Sequence, residues 1–181
     1  KSAEVARRQA ELAAQQSSTL LQEAVNGLPE GFTIYDADDR LVVCNEAYLS
    51  FYGTSRDLIV PGARFEDIVR AGALRGQYKQ AEGRIEEWVQ ERVRKHREAD
   101  GSHLEQLLDD GRWLLIIEYR TPGGFIVGNR IDISARKAAE AELDRHRHHL
   151  EDLVTARTAD LIEARDAAEA ANRAKSAFLA N

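Results

Sequence analysis

Methionine is absent from the 181 residues, cysteine occurs once and proline three times. Without an initiator residue ahead of Lys1, the chain reads as a piece of a longer protein. A single cysteine, Cys44, cannot close an internal disulfide, which suits a reducing compartment. A basic excess is missing too. With 25 Lys and Arg against 31 Asp and Glu, the formal net charge of −6 lacks the cationic footprint that nucleic acid requires, so no nucleic-acid partner is expected. The longest apolar stretch, around Leu114–Ile117, falls far short of the roughly 20 residues that span a bilayer, and no charged and then apolar leader opens the chain. These absences point to a cytoplasmic piece, with any membrane anchor of its parent lying upstream of residue 1.

Glycine and proline are missing from residues 1–26 and 129–181 and confined to the middle. Helix-breaking residues thus divide the chain into helix, globular middle and helix. The leading segment is rich in Ala, Gln, Glu and Arg, spaces Val5, Leu12 and Thr19 by sevens and stops at Asn26-Gly27, which predicts an amphipathic, coiled-coil-type helix over 1–26. In the middle, GFTIYDADDRLVVCNEAYLSFYG holds two β-rich runs around a polar turn, then a helix for which Asn45 is a ready cap. RIEEWVQERVRKHREAD follows a 3.6-residue period with Ile85, Trp88, Val89 and Val93 on one stripe. The period then drops to two. SHLEQLLDDGRWLLIIEYRTPGGFIVGNRIDIS divides at Asp110-Gly111 and Pro122-Gly123-Gly124 into a three-stranded antiparallel meander. Its central strand is apolar on both faces up to Glu118 and Arg120, so both faces need a cover. The middle helices are expected on one, and the leading helix, of this chain or of a partner, on the other.

Hairpin, helices and meander, with Asn45 after the second strand, Trp113 after the Asp110-Gly111-Arg112 turn, and the closing run Asp132-Ile133-Ser134-Ala135-Arg136-Lys137, resemble a PAS domain from Gly27 to about Arg136. The resemblance implies an α+β fold: a five-stranded antiparallel sheet with flanking helices, here occupying 27–133, with a signalling coiled-coil helix over 134–172. The final ANRAKSAFLAN is similar to the start of the dimerisation and phosphotransfer helix of a sensor histidine kinase, placing that helix's first residues at 173–181 and implying that the chain stops just before the phosphoacceptor box. On this resemblance the chain itself is not an enzyme. ATP and the response regulator belong to a kinase core outside it.

The trailing helix can also be read physically. Leu143, His146, Leu150, Leu153 and Arg157 alternate steps of three and four, and after an extra step of four Leu161, Ala164, Ala168, Ala171, Lys175 and Phe178 continue the seam. That stutter, with small alanines and charged residues at core positions, makes a weakly specified seam able to hold two registers. Apolar stripes this narrow on the leading and trailing helices call for a second copy, and the resemblance to histidine-kinase helices implies that the homodimer is parallel.

Several residues invite sharper readings. Cys44 precedes Asn45 at a strand end, whereas the flavin-binding PAS subgroup carries its reactive cysteine in a middle helix, so Cys44 reads as a buried inert thiol. His96, flanked by Lys95 and Arg97, reads as an exposed helix-end histidine rather than an axial haem ligand. Of His146, His148 and His149, only the first and last share a helix face, too few for a metal site. Neither haem nor flavin is expected. Tyr48, Phe51, Phe65 and Trp88, with Leu115, Ile117 and Asn129, form either a small-molecule pocket or a filled core. At the junction, Ser134 is expected to cap the trailing helix and Asp132 to reach Arg136, so that these three carry the signal. The function read from this is a sensory and dimerisation module of a two-component histidine kinase. The alternatives are a PAS module that only dimerises, or one serving another output such as a cyclic-dinucleotide cyclase.

Overall fold

A computed structural model describes residues 2–179; Lys1, Ala180 and Asn181, and the side chains of Ser2, Ala3, Val5, Ala6, Ala177, Phe178 and Leu179, lie outside what is described. After α1 (Ser2–Asn26), the strands β1 (Gly31–Tyr35) and β2 (Leu41–Cys44) form a hairpin. Its turn closes because Asp36 Oδ1 accepts from the backbone N–H of Asp38 and Arg40, both at 2.9 Å. Asn45 then caps α2 (Glu46–Phe51), its side chain accepting from Tyr48 N at 3.0 Å. The same amide oxygen accepts from Phe32 N (2.8 Å), while Nδ2 donates to Val25 O (3.0 Å) and Glu30 O (2.8 Å). One buried side chain therefore joins the end of α1, β1 and α2.

A 3-10 segment (Gly53–Leu58), α3 (Phe65–Leu74), a 3-10 turn (Lys79–Ala81) and α4 (Ile85–Glu98) follow. Helix α4 stops because Ala99 turns left-handed at φ 41°. The meander is β3 (Asp100–Leu107), β4 (Trp113–Arg120) and β5 (Ile126–Asp132). The sheet is wholly antiparallel in the order β2-β1-β5-β4-β3, and the 46-residue α5 (Ser134–Leu179) follows. The chain divides at Ser134/Ala135 into two units: α1 with the sheet and its helices, and the remainder of α5.

Within the first unit, the alternation of strand side chains decides what is inside. Leu114, Ile116, Ile126, Tyr35 and Leu41 are buried beneath Tyr48, Phe51, Phe65, Ile68, Val69, Trp88, Val89 and Val93. Full burial of each of the larger apolar side chains contributes about 1.5–3 kcal/mol. The opposite face keeps Trp113, Leu115, Ile117, Val127, Asn129 and Ile131 only half-buried. Of the two covers expected there, the chain's own leading helix does not serve. Residues 7–24 of α1 are exposed, as its polar Arg, Gln and Glu positions favour.

Candidate functional site

The stripe of α4 that faces the sheet continues past Val89 and Val93 to Arg92 and His96, both buried. Across from it, the parity that buries Leu114 and Ile116 on β4 also buries Glu118, and the parity of Ile126 and Gly128 on β5 buries Arg130. Register puts Glu118 opposite Gly128, one inward position from Arg130. The absence of a side chain at Gly128 is required here, because a Cβ would collide with the Arg130 guanidinium and the Thr33 hydroxyl.

Three basic groups converge on the Glu118 carboxylate. Arg92 donates in a fork, Nη1 to Oε2 at 2.9 Å and Nη2 to Oε1 at 2.7 Å. Arg130 Nη2 donates to Oε1 at 2.6 Å, and its Nη1 reaches Thr33 Oγ1 at 3.4 Å. His96 Nδ1 stands 3.1 Å from the same Oε1. Aromatic rings enclose the charges: Arg92 lies over Phe65 (4.8 Å to the centroid), Arg130 over Tyr48 (5.3 Å), and His96 stacks on Phe65 at 3.6 Å. Burial would push the Glu118 carboxyl up, but the charges of Arg92 and Arg130 outweigh it and hold it well below the ordinary carboxylate range. For Arg130, burial opposes the charge and Glu118 more than restores it. Burial pushes the His96 imidazole down from its ordinary value, against the pull of Glu118.

Next to this cluster, α4 and the edge strand β3 leave a groove of about 300 Å³ whose lining includes Trp88, Leu104, Gln80, Gln106, Arg84 and Arg92. Gln80 Oε1 accepts from Leu107 N (3.2 Å), and Gln106 Oε1 accepts from the Tyr52 hydroxyl (3.1 Å). Each oxygen already accepts one hydrogen bond, and the NH₂ end of each carboxamide adds donor capacity beside it.

A model of the PAS fold matches residues 25–141, well over half of the chain. The chain belongs to the PAS-fold family. It is 31% identical over 184 residues to the non-motile and phage-resistance protein of Caulobacter vibrioides, covering 95% of this chain and 20% of that protein. It is 28% identical over 185 residues to the virulence sensor protein BvgS of Bordetella pertussis, covering 96% of this chain and 13% of that one. The chain thus spans a fifth or less of these relatives' length. Among solved structures, the PAS domain of Bordetella pertussis BvgS matches with a TM-score of 0.39 and 23% identity, over 76% of this chain and 98% of that one.

The PAS core brings Tyr48, Phe51, Phe65 and Trp88 into one cluster, but Leu115, Ile117 and Asn129 do not line it. They belong to the opposite face, with Ile117 opposite Asn129 and Asn129 opposite Phe32. The interior positions are Leu114, Ile116, Glu118 and Arg130 instead. Their charged members disguise that parity, because a carboxylate and a guanidinium read as surface until they are seen to neutralise each other. His96 is likewise corrected. It is 0% exposed rather than solvated, since it continues the 85–88–89–92–93 stripe at helical spacing while Lys95 and Arg97 point away. That continuation was the one signal able to reveal Arg92 and His96. Cys44 is half-buried, and burial raises its thiol pKa.

At the junction, Ser134 does not cap α5. Its Oγ accepts from Trp113 N at 3.0 Å, and its own N–H donates to Asp132 Oδ1 at 2.9 Å. Asp132 therefore holds the turn, and Ser134 bonds to the first residue of β4. Arg136 pairs with Glu140 at 2.7 Å. Along α5, Leu143, Leu150, Leu153, Leu161 and Ala168 are all exposed. His146 and His148 lie near the acidic residues one turn back, Glu142 and Asp144. Among the described residues no three metal-ligating side chains gather, and no helix is long and apolar enough to cross a membrane.

Proposed function

We propose that this PAS domain is the sensory and dimerisation module of a two-component sensor histidine kinase, pairing in parallel through α5 and passing its state to a kinase core that uses ATP and meets a response regulator. The observation that carries the reading is the stripe of large apolar residues left exposed on α5, with Leu143 at 71%, Leu150 at 61% and Leu161 at 60%. A helix this long presenting such a stripe to water needs a second helix, and a/d-type spacing is met by a second copy, parallel in keeping with the kinase role. BvgS is a sensor protein by name, in keeping with this role. Asp132 and Ser134 fasten the end of β5 to the start of β4 where α5 begins, which makes this joint the place where a change in the sheet reaches the helix.

A small molecule rich in acceptors is the ligand suited to the groove between α4 and β3, and the proposed role calls for neither haem nor flavin. Light scattering on the chain, beside the variant Leu150→Asp/Leu153→Asp, tests the reading. The expected result is a dimer that the variant weakens, and a concentration-independent monomer for the parent sequence would refute it.

A further inference from the structure

We propose that His96 is the proton-sensitive pin of a latch holding α4 against β4 and β5, and that taking up a proton there loosens α4 from the sheet. This goes beyond the sensory reading and needs no kinase core. The ring sits in the last turn of α4, stacked on Phe65 of α3 with 9° between planes and edge-on to Tyr35 of β1 at 4.9 Å. Its Nδ1 approaches Glu118 Oε1 to 3.1 Å, yet neither ring nitrogen has a well-directed hydrogen bond. Oε1 already accepts from Arg92 and from Arg130, at 2.7 and 2.6 Å, so its two lone-pair directions are taken.

The charged groups around His96 decide the sign. Arg92 faces it from its own helix, Glu118 from β4 and Arg130 from β5; β1 and α3 contribute the neutral Tyr35 and Phe65. Neighbouring Arg97 points outward and pairs with Asp39 of the β1–β2 turn at 2.6 Å. Two guanidinium cations already share one carboxylate. An imidazolium would make three cations around a single anion, all buried, whereas a neutral ring adds no charge. With α4 lifted, the ring regains water and an ordinary affinity for protons. The open form therefore binds a proton that the closed form refuses, and falling pH favours opening. Because Trp88 and Arg92 line the groove from α4, the same movement alters the groove.

The test uses the whole chain. Imidazole resonances followed by NMR from pH 8 to 5 give the titration of His96 beside that of a free histidine peptide. Hydrogen exchange of the α4 amides, corrected for intrinsic rates, is measured over the same range. His96 is expected to stay neutral where a free histidine peptide is half-protonated. Exchange in α4 is expected to rise about tenfold from pH 7.5 to 5.5, the ratio for one group of ordinary affinity protonated only in the open state. His96→Gln, which cannot titrate there, should abolish that rise. A His96 that titrates with or above the peptide overturns the proposal, and this reading needs no variant. An equal rise in His96→Gln also overturns it.

Discussion

Glu118→Gln removes one charge and almost no volume, and it isolates what the buried ion cluster contributes. Glu118 is 6% exposed, Arg92 4% and Arg130 1%, so the two guanidinium groups left behind have little water to turn to. Removing one partner of such a buried set costs about 3–5 kcal/mol, most of it the uncompensated charge that remains. For a unit of roughly this size that corresponds to a fall in Tm of about 10–20 °C. A second variant replaces the whole cluster, Arg92→Met/Glu118→Leu/Arg130→Met. Here the desolvation cost disappears along with the attraction, and stability should stay within about 2 kcal/mol of the parent or exceed it. Urea unfolding is best followed by tryptophan fluorescence, because Trp88 and Trp113 both belong to the sheet unit, whereas circular dichroism would be dominated by the 46-residue α5. If Glu118→Gln costs less than about 1 kcal/mol, the charges are hydrated in solution and the reasoning fails.

Asn45→Ala deletes the acceptor for Phe32 N and Tyr48 N and the donor to Val25 O and Glu30 O, and should cost about 2–3 kcal/mol in the same unfolding assay. Gly128→Ala forces a methyl into the Arg130 guanidinium and the Thr33 hydroxyl, and a loss of about 1–3 kcal/mol is expected, smaller when the same change is made in an Arg130→Ala background, where only Thr33 is still crowded. Glu118, with its folded pKa depressed, contributes stability that is complete above its ordinary value near 4.5 and is lost as pH falls toward the folded value. Acid unfolding should therefore steepen below about pH 4.5 in the parent but not in the cluster-free variant. In a kinase carrying this PAS domain, Asp132→Ala and Ser134→Ala should alter autophosphorylation while moving the PAS melting temperature by only a few degrees; unchanged signalling in both would reduce the joint to a linker.

Local chemistry was enough to place the elements. The strand alternation, the Asp-Gly and Pro-Gly-Gly turns, the cap at Asn45 and the unbroken helical pattern after Ser134 are written in near neighbours, and each forms where those neighbours put it. The four aromatics of the interior were legible for the same reason. The site's charged half was not. Whether Leu114 or Leu115 faces inward depends on the parity of one strand, and β4 is apolar at both parities. Leu115, Ile117 and Asn129 were expected at the interior, and the other parity, with Glu118 and Arg130, holds it instead. Only the fold, which brings Arg92 and His96 from α4, Glu118 from β4 and Arg130 from β5 to one carboxylate, turns those charges into interior groups. Ser134 follows the same rule: its hydroxyl was expected to serve the helix it begins, but Trp113 N, 21 positions away in sequence, lies within its reach once β4 and β5 pair. Sequence sets what each segment can be at short range. Which polar groups may be buried is decided by partners that only tertiary contact supplies, because an unpaired charge cannot leave water and a paired one can.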